Sequence, residues 1–179
     1  MNDLKQIVES LLFVSESPLD PARVKKVLPE ADVREIKDAM ESLVRDYEIR
    51  DGGFMLCRVA GGYQFRTRPE HGKLVSKFLQ PNPVRLSRAA METLAIVAYH
   101  QPVLRSEVEQ IRGVNSGNSL RLLLEYDLIR ILGRREIPGR PIVYGTSKKF
   151  LEILGLKDIK DLPSPEEIEK RAALKNFSR

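Results

Sequence analysis

Glu9-Ser-Leu-Leu-Phe-Val-Ser-Glu-Ser-Pro18-Leu-Asp-Pro-Ala-Arg-Val24-Lys-Lys-Val27 is written a second time further along the chain, as Glu92-Thr-Leu-Ala-Ile-Val-Ala-Tyr-His-Gln-Pro102-Val-Leu-Arg-Ser-Glu-Val108-Glu-Gln-Ile111. Glu9, Leu11 and Val14 fall on Glu92, Leu94 and Val97 at a constant offset. After one inserted residue, Pro18, Val24 and Val27 fall on Pro102, Val108 and Ile111. In each copy an apolar stripe at helical spacing stops at a proline, and a second short helix follows. Two amphipathic helices match by chance readily; a matched proline in the turn between them is a stronger sign. The chain reads as two copies of one supersecondary unit, an organisation suited to a scaffold, a reader or an adaptor.

Working outward, the first copy begins on a stripe of Leu4, Ile7, Val8, Leu11, Leu12 and Val14. Asp20-Pro21 reads as an N-cap with proline at the first helical position. Asp32 caps a longer helix with apolar positions at Val33, Ile36, Met40, Leu43, Val44 and Tyr47. Alternation then takes over in Phe54–Ala60 and Tyr63–Thr67 around a Gly61-Gly62 turn, which predicts a hairpin. A closing helix is expected over 69–79. Gln80-Pro81-Asn82-Pro83 excludes helix and central strand and marks a linker. Ser87 caps the second copy, which repeats the order: a helix to His100, a short helix around Ser106–Ile111, a third from about Ser119 to Tyr126. Strands at Leu128–Leu132 and Ile142–Gly145 flank the loop Gly133–Pro141, and a last short helix ends at Gly155. Helix, helix, helix, hairpin, helix is the winged helix-turn-helix plan. The expected fold is mainly α with small β-hairpin wings (α+β), as two tandem winged helix-turn-helix domains. The expected bounds are 1–80 and 87–155, a linker at 81–86, and a charged, loosely held tail at 156–179.

Composition sets the outer limits. The chain has 179 residues, 42% hydrophobic and 31% charged, ordinary for a folded protein of one large or two small domains. No apolar run approaches the roughly 18 residues of a membrane span, and Met1-Asn-Asp-Leu-Lys-Gln lacks the pattern of a signal peptide. Cys57 is the only cysteine, which points to a reducing, cytoplasmic setting. The net charge of +5 is uneven: residues 1–80 are neutral, while 81–155 carry 11 basic against 7 acidic side chains. A basic second half suits nucleic acid or an acidic partner, and equally an ordinary solvated surface.

A DNA reader would place the helix after the turn in the major groove. In the first unit that helix, residues 32–50, holds six acidic and four basic side chains, which phosphate disfavours. In the second unit the corresponding helix offers Asn118, Ser119 and Arg121 but also Glu125 and Asp127. The loop arginines Arg134, Arg135 and Arg140 are better phosphate candidates, so weak, non-specific DNA contact stays open while sequence-specific reading is not supported. Catalysis finds no footing either. His71 and His100 lack metal-ligand spacing. Gly113-Val-Asn-Ser-Gly117 lacks the ending of a phosphate loop, and Cys57 sits in a predicted strand. No cofactor or metal site is expected, and no enzyme activity. What remains is apolar surface: Leu94-Ala-Ile-Val-Ala98 and Leu11-Leu-Phe-Val14 place apolar groups on more faces than a small domain covers, which suggests a partner interface.

The stretches Leu86-Ser-Arg-Ala-Ala-Met-Glu-Thr-Leu-Ala-Ile-Val-Ala-Tyr-His-Gln-Pro102, Glu109-Gln-Ile-Arg-Gly-Val-Asn-Ser116, Gly133-Arg-Arg-Glu-Ile-Pro-Gly-Arg-Pro141 and Tyr144-Gly-Thr146 resemble the segregation and condensation protein B (ScpB) family. Glu9–Ser15 and Gly62–Phe65 are similar to it too, and the resemblance spans about residues 1–163. It implies a non-enzymatic homodimer that binds the kleisin ScpA, and SMC through the kleisin, in chromosome condensation and segregation at the nucleoid. ATP hydrolysis would belong to SMC. It further implies dimer contact through the first domain, here Leu11, Leu12 and Phe13, and kleisin contact through the second. The expected kleisin anchors are Leu94, Val97 and Tyr99, with Arg134, Arg140 and Tyr144 around the wing; Leu86, Leu94 and Val97 equally suit plain core. The rival reading is a tandem winged-helix DNA-binding regulator.

Overall fold

Helix starts are dictated locally. Asp20 accepts from the Arg23 amide at 2.8 Å and opens α2 (Pro21–Val27). Asp32 and Glu35 form a reciprocal capping box that opens α3 (Val33–Ile49). With α1 (Asn2–Val14), these helices bury Val8, Leu12, Val24, Ile36, Met40 and Leu43 against one another. A hairpin of β1 (Phe54–Val59) and β2 (Gly62–Thr67) closes that core with Leu56 and Tyr63. In the computed structural model of the protein, residues 2–80, 85–164, 166–168 and 170 are described. Their architecture is helical with small antiparallel sheets.

The hairpin departs from expectation at its turn. Ala60 and Gly61, not Gly61 and Gly62, are the two loop residues, with φ of 51° and 76°, as a tight primed turn requires. Gly62 is needed for another reason: a Cβ there would lie 2.9 Å from the Leu19 carbonyl. Leu19 and Tyr63 exchange backbone hydrogen bonds at 2.9 and 3.0 Å, so the residue after Pro18 joins the hairpin as a bridge. A 3-10 turn (Pro69–His71) then leads into α4 (Gly72–Leu79). The expected linker lies mostly outside the described residues.

The second unit repeats the order. Ser87 accepts from the Ala90 amide at 3.2 Å and opens α5 (Arg88–His100). After Pro102 comes β3 (Val103–Leu104), too short to be legible beforehand and placed like Leu19 in the first unit. Then come α6 (Arg105–Arg112) and α7 (Gly117–Glu125), β4 (Ile129–Arg134), β5 (Ile142–Thr146) and α8 (Lys148–Leu154). The sheet runs β3-β5-β4, all antiparallel. Gln101 pins the end of α5 to it, its side-chain oxygen accepting from the Thr146 amide at 2.8 Å. A second core of Val97, Val108, Leu120, Leu123, Ile129 and Phe150 lies inside.

The stretch after α8 corrects the expected tail. The amides of Ala60 and Gly61, at the tip of the first hairpin, donate to the carbonyls of Leu156 and Lys157 at 2.8 and 3.0 Å. A 3-10 turn follows at Ile159–Asp161, and Ile159 and Leu162 pack on the second core. Apolar residues are few in this charged segment, but Ile159 and Leu162 suffice once backbone pairing holds the chain. Residues 171–179 lie outside the described residues.

Candidate functional site

α5 carries two apolar stripes. Ala90, Leu94, Val97 and Ala98 turn inward, with Thr93 satisfied by the Ala89 carbonyl at 2.8 Å. Met91, Ala95 and Tyr99, four residues apart on the next stripe, face out. On α8, Phe150 is buried while Ile153 and Leu154 stay exposed. Between the helices runs an open apolar groove of about 470 Å³, with Leu94, Ala98, Leu128 and Phe150 beneath and Met91, Tyr99, Ile153 and Leu154 along it. Leu86 and Leu162 also line it, and the Tyr99 hydroxyl donates to the Pro163 carbonyl at 2.6 Å. Among the described residues, Lys149 is the single charged one in its wall.

The expected site residues divide. Leu94 and Tyr99 meet in this groove, Tyr99 being 41% exposed. Val97 is fully buried and Tyr144 nearly so, both within the second core, so neither presents surface to a partner. For Val97 the core alternative is the one that holds; an unbroken apolar run by itself does not show which stripe the neighbouring elements cover. Arg134 and Arg140 lie on the exposed wing and do not line the groove: Arg134 donates to the Arg140 carbonyl at 3.0 Å, and Arg140 pairs with Glu136 at 2.9 Å. Arg135 pairs with Glu107 at 3.0 Å, so two of the wing's arginines already have carboxylates. In the first unit, Leu12 is core and Leu11 half-buried, whereas Phe13 is 78% exposed. Phe13 and Val14 line a second pocket of about 360 Å³ with Tyr47, Phe54 and Phe65.

Met91, Ile153 and Leu154 were not expected. The spacing of Met91, Ala95 and Tyr99 was available as a signal; the pairing of α5 with α8 was not. α4 also carries exposed apolar residues. Leu74 is 70% and Phe78 86% exposed.

The ionisable groups play structural parts. Hydrogen bonds from Arg58 hold the Glu41 carboxyl down at about 2, against the opposing effect of burial; the Tyr63 hydroxyl also donates to it, at 2.5 Å. Burial, then the Glu41 contact, pushes Tyr63 up to about 12. These three side chains tie the hairpin to α3. Burial raises the Cys57 thiol, which disfavours the thiolate. Among the described residues no cluster of three or more His, Cys, Asp or Glu is placed to hold a metal ion, and no helix is long and apolar enough to cross a membrane.

An open apolar groove with one lysine in its wall offers burial to another polypeptide and little to a small polar substrate. The groove lies on the second of the two helical units and is the kind of surface a subunit of a larger assembly offers. A family model described as segregation and condensation complex subunit ScpB matches residues 6–165. The chain is 43% identical over 165 residues to segregation and condensation protein B of Syntrophotalea carbinolica, covering 92% of this chain and 83% of that one. Among solved structures it is similar to ScpB from Mycobacterium tuberculosis, at 33% identity over 87% of this chain and 96% of that one, with a TM-score of 0.40. It is similar also to a dimer of the ScpB N-terminal domain complexed with ScpA peptide, at 29% identity over 43% and 95%, with a TM-score of 0.39. The chain belongs to the ScpB family of segregation and condensation complex subunits.

Proposed function

We propose that this chain is a non-enzymatic adaptor of the SMC–kleisin complex, built from two tandem winged helices. It works as a homodimer in the cytoplasm at the nucleoid, and binds the kleisin ScpA, and SMC through it, in chromosome condensation and segregation. The α5–α8 groove carries this reading. Its exposed Met91, Tyr99, Ile153 and Leu154 form an apolar strip on a domain whose own core is already complete. An amphipathic helix laid in such a groove buries its apolar face.

Titration of the full chain with purified kleisin tests it. Ile153→Glu on the groove wall is expected to abolish measurable binding. Tyr99→Ala is expected to weaken binding roughly tenfold or more, as loss of an aromatic anchor does. Because both side chains are exposed, thermal melting should stay near that of the parent. Undiminished affinity in both variants would move the kleisin elsewhere. The rival, a DNA-binding regulator, predicts tight binding to a particular duplex that falls steeply with salt. The carboxylate-paired Arg135 and Arg140 speak for weak, non-specific contact at most.

A further inference from the structure

Residues 156–163 reach from the first unit to the groove between α5 and α8. At one end the amides of Ala60 and Gly61, in the turn of the first hairpin, donate to the carbonyls of Leu156 and Lys157 at 2.8 and 3.0 Å. At the other end Leu162 lines the groove, and the Pro163 carbonyl accepts from the Tyr99 hydroxyl at 2.6 Å. The span between them is stiffened. The Asp161 carboxylate accepts from the amides of Lys157 and Asp158 at 3.2 and 3.1 Å, and the Asp158 carboxylate accepts from the Lys160 amide at 3.0 Å. Ile159 packs on the second core. A second link runs beside this one. Arg66 donates to the Glu152 carbonyl at 2.5 Å and Gln64 to its carboxylate at 2.9 Å, one residue before the groove-lining Ile153 and Leu154.

We propose that residues 156–163 are a strap through which the first unit holds the groove of the second in shape, with Arg66 and Gln64 as positioning residues. This deepens the kleisin reading above by naming what regulates that site. Ile153, Leu154 and Leu162 all line the groove, and all stand on chain that the first hairpin grips, through Glu152 or through the strap. Docked units present this wall already formed. Undocked units must order it when the partner arrives, at a cost in affinity. The grips are polar hydrogen bonds, a kind of junction between units that opens at low free energy while both cores stay folded. Coupling of this sort is reciprocal, so a disturbance in the groove is felt at the hairpin turn.

Two measurements on the full chain test the strap, the first without any partner. Tyr99→Phe removes only the hydroxyl that holds Pro163, on the second unit, and amide hydrogen exchange is read at Ala60 and Gly61, on the first. Exchange at these two amides is expected to quicken several-fold, while the core amides of Val108 and Leu123 keep the parental rate. Parental rates at Ala60 and Gly61 overturn the strap, whatever the kleisin does. The second measurement is titration with purified kleisin. Gln64→Ala with Arg66→Ala is expected to weaken binding roughly five- to tenfold, and less than additively with Leu162→Ala, because these changes act through one wall. Fully additive losses would make Arg66 a direct contact and overturn its positioning role, as would unchanged or tighter binding. A parent chain that does not bind the kleisin removes the kleisin reading and leaves the exchange rates to decide the strap.

Discussion

Gly62 shows how one missing methyl decides a register. The Leu19 backbone that faces it is held by two hydrogen bonds to Tyr63 and has no room to retreat. Gly62→Ala is therefore expected to cost about 1–3 kcal/mol, read as a lower urea midpoint at unchanged slope; parental stability would show that the Leu19 segment yields. Glu41 acts through charge. Its folded value of about 2 lies below the usual 4.5, so the stability it contributes is present above pH 4.5 and is lost as pH falls through about 2. Glu41→Gln should flatten the loss of stability across that window and lower stability at neutral pH by roughly 1–2 kcal/mol. Parallel curves for the two proteins would take Glu41 out of the acid response.

α5 separates core from surface within a single helix. Val97 and Met91 lie on the same amphipathic segment, yet one is buried in the second core and the other rims the groove. Val97→Ala is expected to cost about 1–3 kcal/mol through the cavity it leaves, with the folded protein still binding the kleisin normally. Met91→Ala should leave melting nearly unchanged and weaken kleisin binding several-fold. Reversed outcomes would mean that the outward stripe is the structural one. Such a helix announces itself in sequence as apolar, but the direction of each stripe depends on neighbours far along the chain. The wing arginines illustrate the converse: their charge was legible, and the carboxylates of Glu107 and Glu136 that engage two of them were not.

The two units are joined by more than the segment between them. The first hairpin donates two backbone hydrogen bonds to Leu156 and Lys157. Arg66 donates to the Glu152 carbonyl at 2.5 Å in the last turn of α8, a position that favours a cation. Gln64 donates to the Glu152 carboxylate at 2.9 Å, and Lys148 lies 3.7 Å from Asp20. Since α8 also walls the groove, the first unit braces the surface proposed for the partner. Arg66→Ala is expected to loosen this junction, seen as a larger radius of gyration by X-ray scattering, while both cores melt as before. An unchanged radius would mean that the hairpin-tip pairing holds the units without it.

Periodicity, caps and turn residues determined most of the local structure. A proline stops a helix, Asp32 with Glu35 starts one, and alternation makes a strand wherever these residues occur. The duplicated segment foretold the repeated element order, down to the matched prolines after which Leu19 and Val103 join their sheets. Its apolar excess foretold that surface would remain uncovered. Only tertiary structure decided which surface. Val97, Leu12 and Tyr144 went inside and Met91, Ile153 and Phe78 outside, because burial depends on what packs opposite each side chain, and those neighbours lie tens of residues away.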